Sequence, residues 1–209
     1  GVVVTSTVDG LPPATPVVVH GYDLGMNTWG GFSEYIRVPA EWVVALPESL
    51  TPRTAMIYGT AGYTAALSVE RVDRILRNRP QDAAVGPVVV SGAGGGVGSI
   101  AVAMLSGLGY SVTASTGQAD NPDVQEWLTT LGASEVVDRD AVAAAAKKPI
   151  GKARWIAGVD TTGGTILAGM VKAAAYGAPI TACGLTRDAD LPLTVFPFIL
   201  RGVHLIGID

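Results

Sequence analysis

An α/β fold built on a doubly wound parallel sheet is predicted for most of this chain, and three observations predict it. From residue 88 onward, short β-branched runs alternate with segments of helical periodicity. The glycine-rich turn Gly92–Gly98 joins the first such run to the first such helix. Each later strand-like run up to residues 179–183 is also separated from the one before it by a helical segment, and parallel strands need such crossovers.

The first 50 residues differ from the rest of the chain. They contain short β runs separated by Pro and Gly clusters, at residues 2–5, 17–20, 33–38 and 42–45. Residues 51–77 then show helical periodicity, with a break expected at Gly59 and Gly62. We therefore expect a strand-rich segment followed by two helices.

The remaining elements follow in regular alternation. Strands are predicted near residues 88–91, 110–115, 135–138, 155–160, 179–183 and 203–208. Helices are predicted near residues 97–108, 122–131, 139–147 and 164–174. In a doubly wound sheet, ligands bind over the carboxyl ends of the strands, so residues just after each strand are candidates for a site.

Composition restricts the possible function classes. The chain has 209 residues, 48% of them hydrophobic and 15% charged, with a net charge of −4 and no basic stripe, which argues against nucleic acid as a ligand. No apolar run approaches the roughly 20 residues needed to span a bilayer. The single cysteine excludes an internal disulfide framework, and His20, Cys183 and His204 show no metal-ligand spacing. We expect a cytoplasmic protein without a metal, with neither nucleic acid nor membrane as its partner.

The turn after the first strand carries the clearest chemistry. Glycines there permit a tight turn and let backbone N–H groups approach a pyrophosphate, while the following helix N-terminus favours negative charge. No Lys-Ser or Lys-Thr follows the turn, so a nucleoside-triphosphate loop is excluded. A structural turn that packs a helix against a sheet is the alternative, but the complete strand-helix-strand unit favours a dinucleotide.

The end of the second strand bears on which dinucleotide is bound. An Asp or Glu here would bind the ribose hydroxyls of NAD, but Ser115–Gln118 contains no acid, which favours NADPH. Arg139, after the third strand, is a candidate to stack on adenine or reach the 2′-phosphate. A solvated arginine at a helix start is the equal alternative.

These motifs resemble the medium-chain dehydrogenase/reductase superfamily, in particular its zinc-free quinone oxidoreductase branch and the acryloyl-CoA reductase group. The resemblance covers nearly the whole sequence, and the segments that carry it are residues 29–35, 59–65, 92–98, 131–133, 160–164, 182–185 and 197–202. It implies a partial, strand-rich GroES-like substrate domain over residues 1–50. It also implies a Rossmann-type NADP-binding domain over residues 51–209, incomplete at its C-terminal end, in a chain truncated at both ends.

The resemblance further implies a function. It predicts an NADPH-dependent oxidoreductase that transfers hydride to an activated alkene such as acryloyl-CoA. The alternatives are an NADPH-dependent quinone oxidoreductase and a catalytically silent NADPH-binding module. The partner is then a small-molecule enoyl thioester or quinone. The apolar strand near residues 205–208 favours a homodimer, and the alternative is nonspecific association through a strand that truncation exposes. No catalytic acid is assigned, since the residues that face the substrate in such proteins usually precede Gly1.

Individual site residues follow from the same likeness. Cofactor contacts are expected at Thr60, Gly92, Ala93, Gly94, Gly95, Gly96, Val97, Ser115, Thr116, Gln118, Arg139, Cys183, Gly184 and Leu185. Substrate contacts are expected at Tyr22, Asn27 and Trp29.

Several of these positions also have a purely structural interpretation. Thr60 could instead be a helix N-cap, and Trp29 a packing residue between domains. We interpret Cys183 as a small buried side chain rather than a nucleophile, because no histidine lies near it in sequence. We assign Asp160 to loop geometry and helix capping rather than to catalysis.

Overall fold

A computed structural model describes residues 1–80 and 85–209. The chain divides into two compact units, Gly1–Tyr63 and Thr64–Asp209. The domain boundary predicted at residue 50 therefore differs in position from the division by compactness, and the assignment of the two segments as domains stays a prediction. Within the described residues, no helix is both long and apolar enough to cross a membrane.

The first unit has little regular structure. Strand β1 (Val17–Val18) pairs in antiparallel fashion with β2 (Val44–Ala45), and a short 3-10 helix spans Ala40–Trp42. The run predicted at residues 2–5 forms only a single bridge, from Val2 to Pro16. The strand predicted at residues 33–38 is wrong: the segment is almost entirely exposed, and no described residue pairs with it.

Helix α1 (Pro52–Arg77) contains the predicted break. Gly59 has φ +50° and ψ −151°, a conformation that interrupts the helix and that only glycine adopts readily. Three residues further on, a Cβ added at Gly62 would lie 2.6 Å from the Cβ of Tyr58, so only glycine fits there. Gly59 thus divides the helical span into two helices, as predicted, and Gly62 lies within the second of them.

The second unit is built on a six-stranded parallel sheet, which confirms the predicted fold class. Its strands are β3 (Val88–Val90), β4 (Val112–Thr116), β5 (Glu135–Asp138), β6 (Ala157–Asp160), β7 (Pro179–Ala182) and β8 (His204–Gly207). Their order across the sheet is β5-β4-β3-β6-β7-β8. From β3 the chain forms β4 and β5 on one side of β3, and it then crosses to place β6 on the other side of β3. The topological switch point therefore lies between β3 and β6.

Helices cover both faces of this sheet. They are α2 (Gly96–Gly107), α3 (Pro122–Thr130), α4 (Arg139–Ala143), α5 (Gly164–Lys172) and α6 (Phe196–Arg201), and one turn of 3-10 helix extends α4 to Lys147. Alternate side chains of β3 point into two separate cores. Val88 and Val90 pack in the core that contains Leu105 of α2, whereas Val89 packs in the core that contains Met170 of α5.

Two polar contacts tie the edges of this unit together. The Arg201 guanidinium at the end of α6 donates to the carbonyl oxygens of Gly151, at 2.6 Å, and Ala174, at 2.9 Å. On the other face, Asp73 of α1 accepts from the Tyr110 hydroxyl at 2.7 Å and from Nε of Arg77 at 2.7 Å. Both contacts fix loops at the amino-terminal side of strands, away from the carboxyl ends where a ligand is expected.

Candidate functional site

The turn between β3 and α2 is a compact, glycine-dependent structure. Gly92 has φ +57°, in the left-handed region, and a Cβ there would collide with the Thr161 hydroxyl. A Cβ at Gly98, in the first turn of α2, would collide with the Gly92 carbonyl and lie 2.8 Å from the Cα of Ala93. Glycine at both positions therefore lets the helix pack directly on the turn.

The amino end of α2 is exposed and is not capped by a side chain. Gly95 occupies the N-cap with φ −90° and ψ 174°. Gly94, Gly95 and Gly96 are all exposed. The first-turn N–H groups are consequently open to a ligand, and with the helix dipole they favour an anion such as a pyrophosphate. The residues present fit the phosphates of a dinucleotide.

A buried polar network joins the ends of β3 and β6 beside this turn. One Asp160 carboxylate oxygen accepts from the hydroxyls of Ser91, at 2.6 Å, and Thr162, at 2.8 Å, and the other accepts from Gly163 N–H at 2.8 Å. The Ser91 hydroxyl oxygen also accepts from the backbone N–H of Thr161 at 3.0 Å. Asp160 is fully buried, and these contacts agree with the interpretation that it shapes the loop.

A cleft of about 500 Å³ opens over the carboxyl ends of the strands in the second unit. It is lined by residues that follow β3, β4, β5, β6 and β7, namely Gly92, Thr116, Gly117, Arg139, Thr162, Ile166, Thr186 and Arg187. Its position is the one at which doubly wound sheets bind their ligands. The volume is within the range of small-molecule and cofactor sites.

Two arginines give the cleft its charge. The Arg139 guanidinium lies against the β4 turn, such that a Cβ added at Gly117 would be 3.0 Å from the Cζ of Arg139. Arg187 reaches the same cleft from the loop after β7. Over the described part of the chain, neither guanidinium makes an ion pair or a side-chain hydrogen bond. A cleft with two free cations favours an anionic ligand.

The residues predicted at the end of β4 occupy different environments. The strand extends through Thr116, and Ser115 is fully buried, with a hydroxyl that has no hydrogen-bond partner among the described residues. Its carbonyl accepts from the Ala93 N–H at 3.0 Å, which holds the glycine turn. The Thr116 hydroxyl accepts from the Gln118 N–H at 3.2 Å, and Gln118 is exposed.

Cys183 lies at the end of β7, next to Asp160. Its thiol donates to the Asp160 carbonyl oxygen at 3.3 Å, and burial, reinforced by the nearby Asp160 charge, raises the pKa of the Cys183 thiol, although a hydrogen bond with Ser68 works against this. The thiolate fraction at neutral pH is therefore low, contrary to what a nucleophile requires. Gly184 is half-buried and Leu185 is 68% exposed at the following positions.

The remaining predicted site residues belong to the first unit. Tyr22 has φ +52°, a strained backbone for a residue with a side chain, and it is held by stacking on Trp42 at 5.3 Å and by a hydrogen bond to the Glu41 carbonyl oxygen. Asn27 donates to the Asp23 carboxylate at 3.2 Å.

Trp29, in the same unit, is 94% exposed, and Thr60 is exposed just after the Gly59 break. The roles of all these residues stay predictions.

No group of three or more His, Cys, Asp or Glu side chains that could hold a metal ion occurs in residues 1–80 and 85–209. The expected absence of a metal stays a prediction for the whole protein.

Residues 96–209, more than half of the chain, match the family model described as zinc-binding dehydrogenase. The chain belongs to this family. The match covers the second unit from the start of α2 onward, including β4, β6 and the residues of the cleft other than Gly92. It confirms the resemblance to the medium-chain dehydrogenase/reductase superfamily.

Two curated relatives are similar over all 209 residues. The acrylyl-CoA reductase AcuI of Ruegeria pomeroyi and the putative quinone oxidoreductase YhfP of Bacillus subtilis are each 44% identical to the chain across 100% of its length. The chain spans 61% of the length of each of these relatives.

Solved structures agree with this relationship. The yhdH oxidoreductase of Salmonella enterica in complex with NADP has a TM-score of 0.90 and 43% identity, over 100% of this chain and 62% of that protein. Bacillus subtilis YhfP with NAD bound has a TM-score of 0.91 and 45% identity, over 100% of this chain and 61% of that protein. Both bound nucleotides contain a nicotinamide.

Sequence reasoning did not identify five residues of the cleft as binding residues, namely Gly117, Thr162, Ile166, Thr186 and Arg187. Gly117 and Thr162 could have been found, because each lies two residues after the end of a predicted strand. Ile166 gave no signal, since a partly apolar helix face is expected to pack in the core.

Proposed function

We propose that this chain is the cofactor-binding part of an NADPH-dependent reductase that transfers hydride to an activated alkene such as acryloyl-CoA. The observation that supports this proposal most directly is the cleft at the switch point. An uncapped helix N-terminus, a glycine turn and Arg139 meet there. The absence of an acid in Ser115–Gln118 supports NADPH. The name of the relative AcuI supports the alkene substrate.

The proposed cofactor contacts follow the cleft. The main-chain N–H groups of Gly94, Gly96 and Val97 bind the pyrophosphate at the start of α2, and the N–H groups of Ala93 and Gly95 hold the turn through the Ser115 and Gly92 carbonyl oxygens. Thr116 and Gln118 contact the adenosine ribose, and Arg139 binds the 2′-phosphate. Ser115 acts through its carbonyl, which holds the turn.

The proposed nicotinamide and substrate contacts come from other segments. Backbone groups of Cys183, Gly184 and Leu185 follow β7 at the carboxyl edge of the sheet, where a nicotinamide would lie. Thr60 supplies a hydroxyl to its carboxamide. Residues Tyr22, Asn27 and Trp29 contact the alkene substrate.

The reaction reduces the carbon-carbon double bond. Bound NADPH supplies a hydride to the β-carbon of the alkene, a proton is added at the α-carbon, and NADP⁺ and a saturated thioester result. The protein positions donor and acceptor and stabilises charge that develops on the thioester oxygen through hydrogen-bond donors. We assign no residue of this chain as the proton donor.

A quinone oxidoreductase is the second candidate, and the naming of the relative YhfP favours it. Steady-state kinetics of the full-length protein with acryloyl-CoA and with a benzoquinone, each with NADPH, separate the two. We expect the larger kcat/KM for acryloyl-CoA. A larger value for the quinone would reverse the order of the two candidates.

Calorimetric titration of the chain with NADPH and with NADH tests the cofactor proposal directly. We expect tighter binding of NADPH. A nucleotide that binds without any alkene-dependent or quinone-dependent oxidation in the full-length protein would identify a catalytically silent binding module instead.

The proposal also covers the domain organisation and the oligomeric state of the protein. Residues 1–50 form part of the substrate domain, and residues 51–209 form the NADP-binding domain of a cytoplasmic homodimer. Support for the dimer comes from β8, which lies at one end of the strand order, with a free edge among the described residues. Analytical ultracentrifugation of the full-length protein tests it, and a monomer at micromolar concentration would refute it.

A further inference from the structure

We propose that Arg187 is a second binding residue for the 2′-phosphate of NADPH and shares that group with Arg139. The inference rests on the proposed function, because it requires that NADPH occupies the cleft. It assigns a role to a residue that the strand-end pattern did not identify.

The backbone of Arg187 is fixed next to the loop after β6. Its N–H donates to the Thr162 carbonyl oxygen at 2.8 Å, and the next residue, Asp188, forms a parallel bridge with Gly163. The Thr186 hydroxyl contacts the Thr161 carbonyl oxygen at 3.4 Å. These contacts hold the base of the Arg187 side chain at the cleft, and the residue is exposed there.

The charges that line the cleft favour a doubly negative ligand. Arg187 and Arg139 both line it, and neither guanidinium is neutralised by a carboxylate among the described residues. Two like charges in one cleft repel each other, and the repulsion is relieved when an anion lies between them. A phosphate monoester carries a charge of about −1.5 to −2 near pH 7, which matches two guanidinium groups.

The position of the cleft favours the 2′-phosphate over the pyrophosphate. The pyrophosphate already has the N–H groups and dipole of α2, whereas the β4 turn at Thr116–Gln118 offers only neutral groups. Arg187 lines the same cleft as Thr116 and Gly117, which lie at the carboxyl end of β4, the strand that binds the adenosine ribose in this fold. The 2′ position is therefore where two additional cations are useful.

The test compares nucleotide affinities of single variants of the chain. We expect Arg187→Gln to weaken NADPH binding at least tenfold and NADH binding less than twofold, with an effect of the same kind for Arg139→Gln. Arg154→Gln is the matched control, because it removes the same charge from a residue that stacks on Trp155 before the start of β6. It should leave both affinities unchanged.

A second measurement uses the protonation of the phosphate. Wild-type preference for NADPH over NADH should shrink as the pH falls below about 6, where the monoester takes up its second proton. In Arg187→Gln this pH dependence should be smaller. Arg187→Lys should restore part of the NADPH affinity, since a charge returns without the bidentate geometry.

The outcomes separate this inference from the proposed function. Equal weakening of NADPH and NADH in Arg187→Gln, or no change in either, would refute the 2′-phosphate role while the reductase proposal stands. Equal binding of NADPH and NADH by the wild type would also refute the 2′-phosphate role. If the folded wild type bound neither nucleotide, the proposed function itself would fail.

Discussion

The Ser91 hydroxyl donates a 2.6 Å hydrogen bond to the buried carboxylate of Asp160 and thereby joins the ends of β3 and β6. These two strands flank the switch point of the sheet. The same carboxylate also accepts from Thr162 and Gly163, so the loop that borders the cleft is held by one side chain. Asp160 therefore fixes the conformation of the loop beside the cleft.

We predict that Asp160→Ala lowers the free energy of unfolding by about 3 kcal/mol, because it leaves several buried donors unpaired. Urea denaturation measures the change. Ser91→Ala, which removes one donor to Asp160 and the acceptor of the Thr161 N–H, is the comparison variant, with a smaller expected loss of about 2 kcal/mol. If Asp160→Asn folded with wild-type stability, bound NADPH normally and lost turnover, Asp160 would be catalytic instead.

We predict that Gly95→Asp abolishes NADPH binding without loss of folding. Gly95 has an extended backbone that any residue adopts, and a Cβ there lies 3.3 Å from the Gly92 carbonyl oxygen, a tight contact that a shift of a few tenths of an ångström relieves. Its negative charge would face the pyrophosphate and should weaken binding at least a hundredfold. Calorimetry measures the affinity, and circular dichroism checks the fold.

Two further variants separate charge, size and packing at the turn. Gly95→Asn adds nearly the same volume as Asp without the charge and should retain more affinity. Gly98→Ala should instead destabilise the protein, because its methyl group collides with the Gly92 carbonyl. Wild-type affinity in Gly95→Asp would remove the turn from the binding site.

We predict that Cys183→Ala retains at least a third of the full-length protein's kcat. The raised pKa of the Cys183 thiol, which arises mainly from burial, keeps it protonated at neutral pH. Alkylation by iodoacetamide at pH 7.5 should therefore be slower than that of free cysteine and accelerate above pH 9. Fast alkylation at pH 7.5 together with complete loss of turnover in the variant would identify a nucleophile.

We predict that Tyr110 makes stability fall at alkaline pH. Burial and the Asp73 carboxylate raise the pKa of Tyr110 to about 12, above the value of about 10 in the unfolded chain. Its contribution is therefore complete below pH 10 and decreases as the pH rises toward 12, because only the unfolded state releases the proton. Urea denaturation at pH 8 and pH 11 measures this.

Tyr110→Phe is the control, since it lacks the titrating hydroxyl. Between pH 8 and pH 11, the free energy of unfolding of the wild type should fall relative to that of Tyr110→Phe. A difference independent of pH would contradict the predicted shift.

Sequence periodicity predicted the sheet well because its strands are short, apolar and separated by helices. The strand at 135–138 agrees with β5 at both ends. The segment at residues 33–38 failed, since β propensity requires a neighbouring strand to pair with, and the described chain provides none. Helix α6 was not predicted, because Pro197 and its short length hid the helical pattern.

The site was predictable only where chain order determines position. The glycine turn and Arg139 follow strands directly and were found in this way. Arg187 reaches the cleft through a tertiary bridge between Asp188 and Gly163, which no local pattern encodes. Ser115 was expected to contact the cofactor, but β4 continues for one more residue than predicted and buries its hydroxyl.

The close packing of Gly98 on Gly92 affects both the rate and the entropy of nucleotide binding. Because the turn is locked by backbone contacts in the free protein, the phosphate-binding amides are ordered before any nucleotide arrives. Association then forfeits little chain entropy, and preorganisation of this kind raises affinity without any additional contact. Nucleotide capture at this turn should accordingly proceed in a single kinetic phase with a rate proportional to nucleotide concentration.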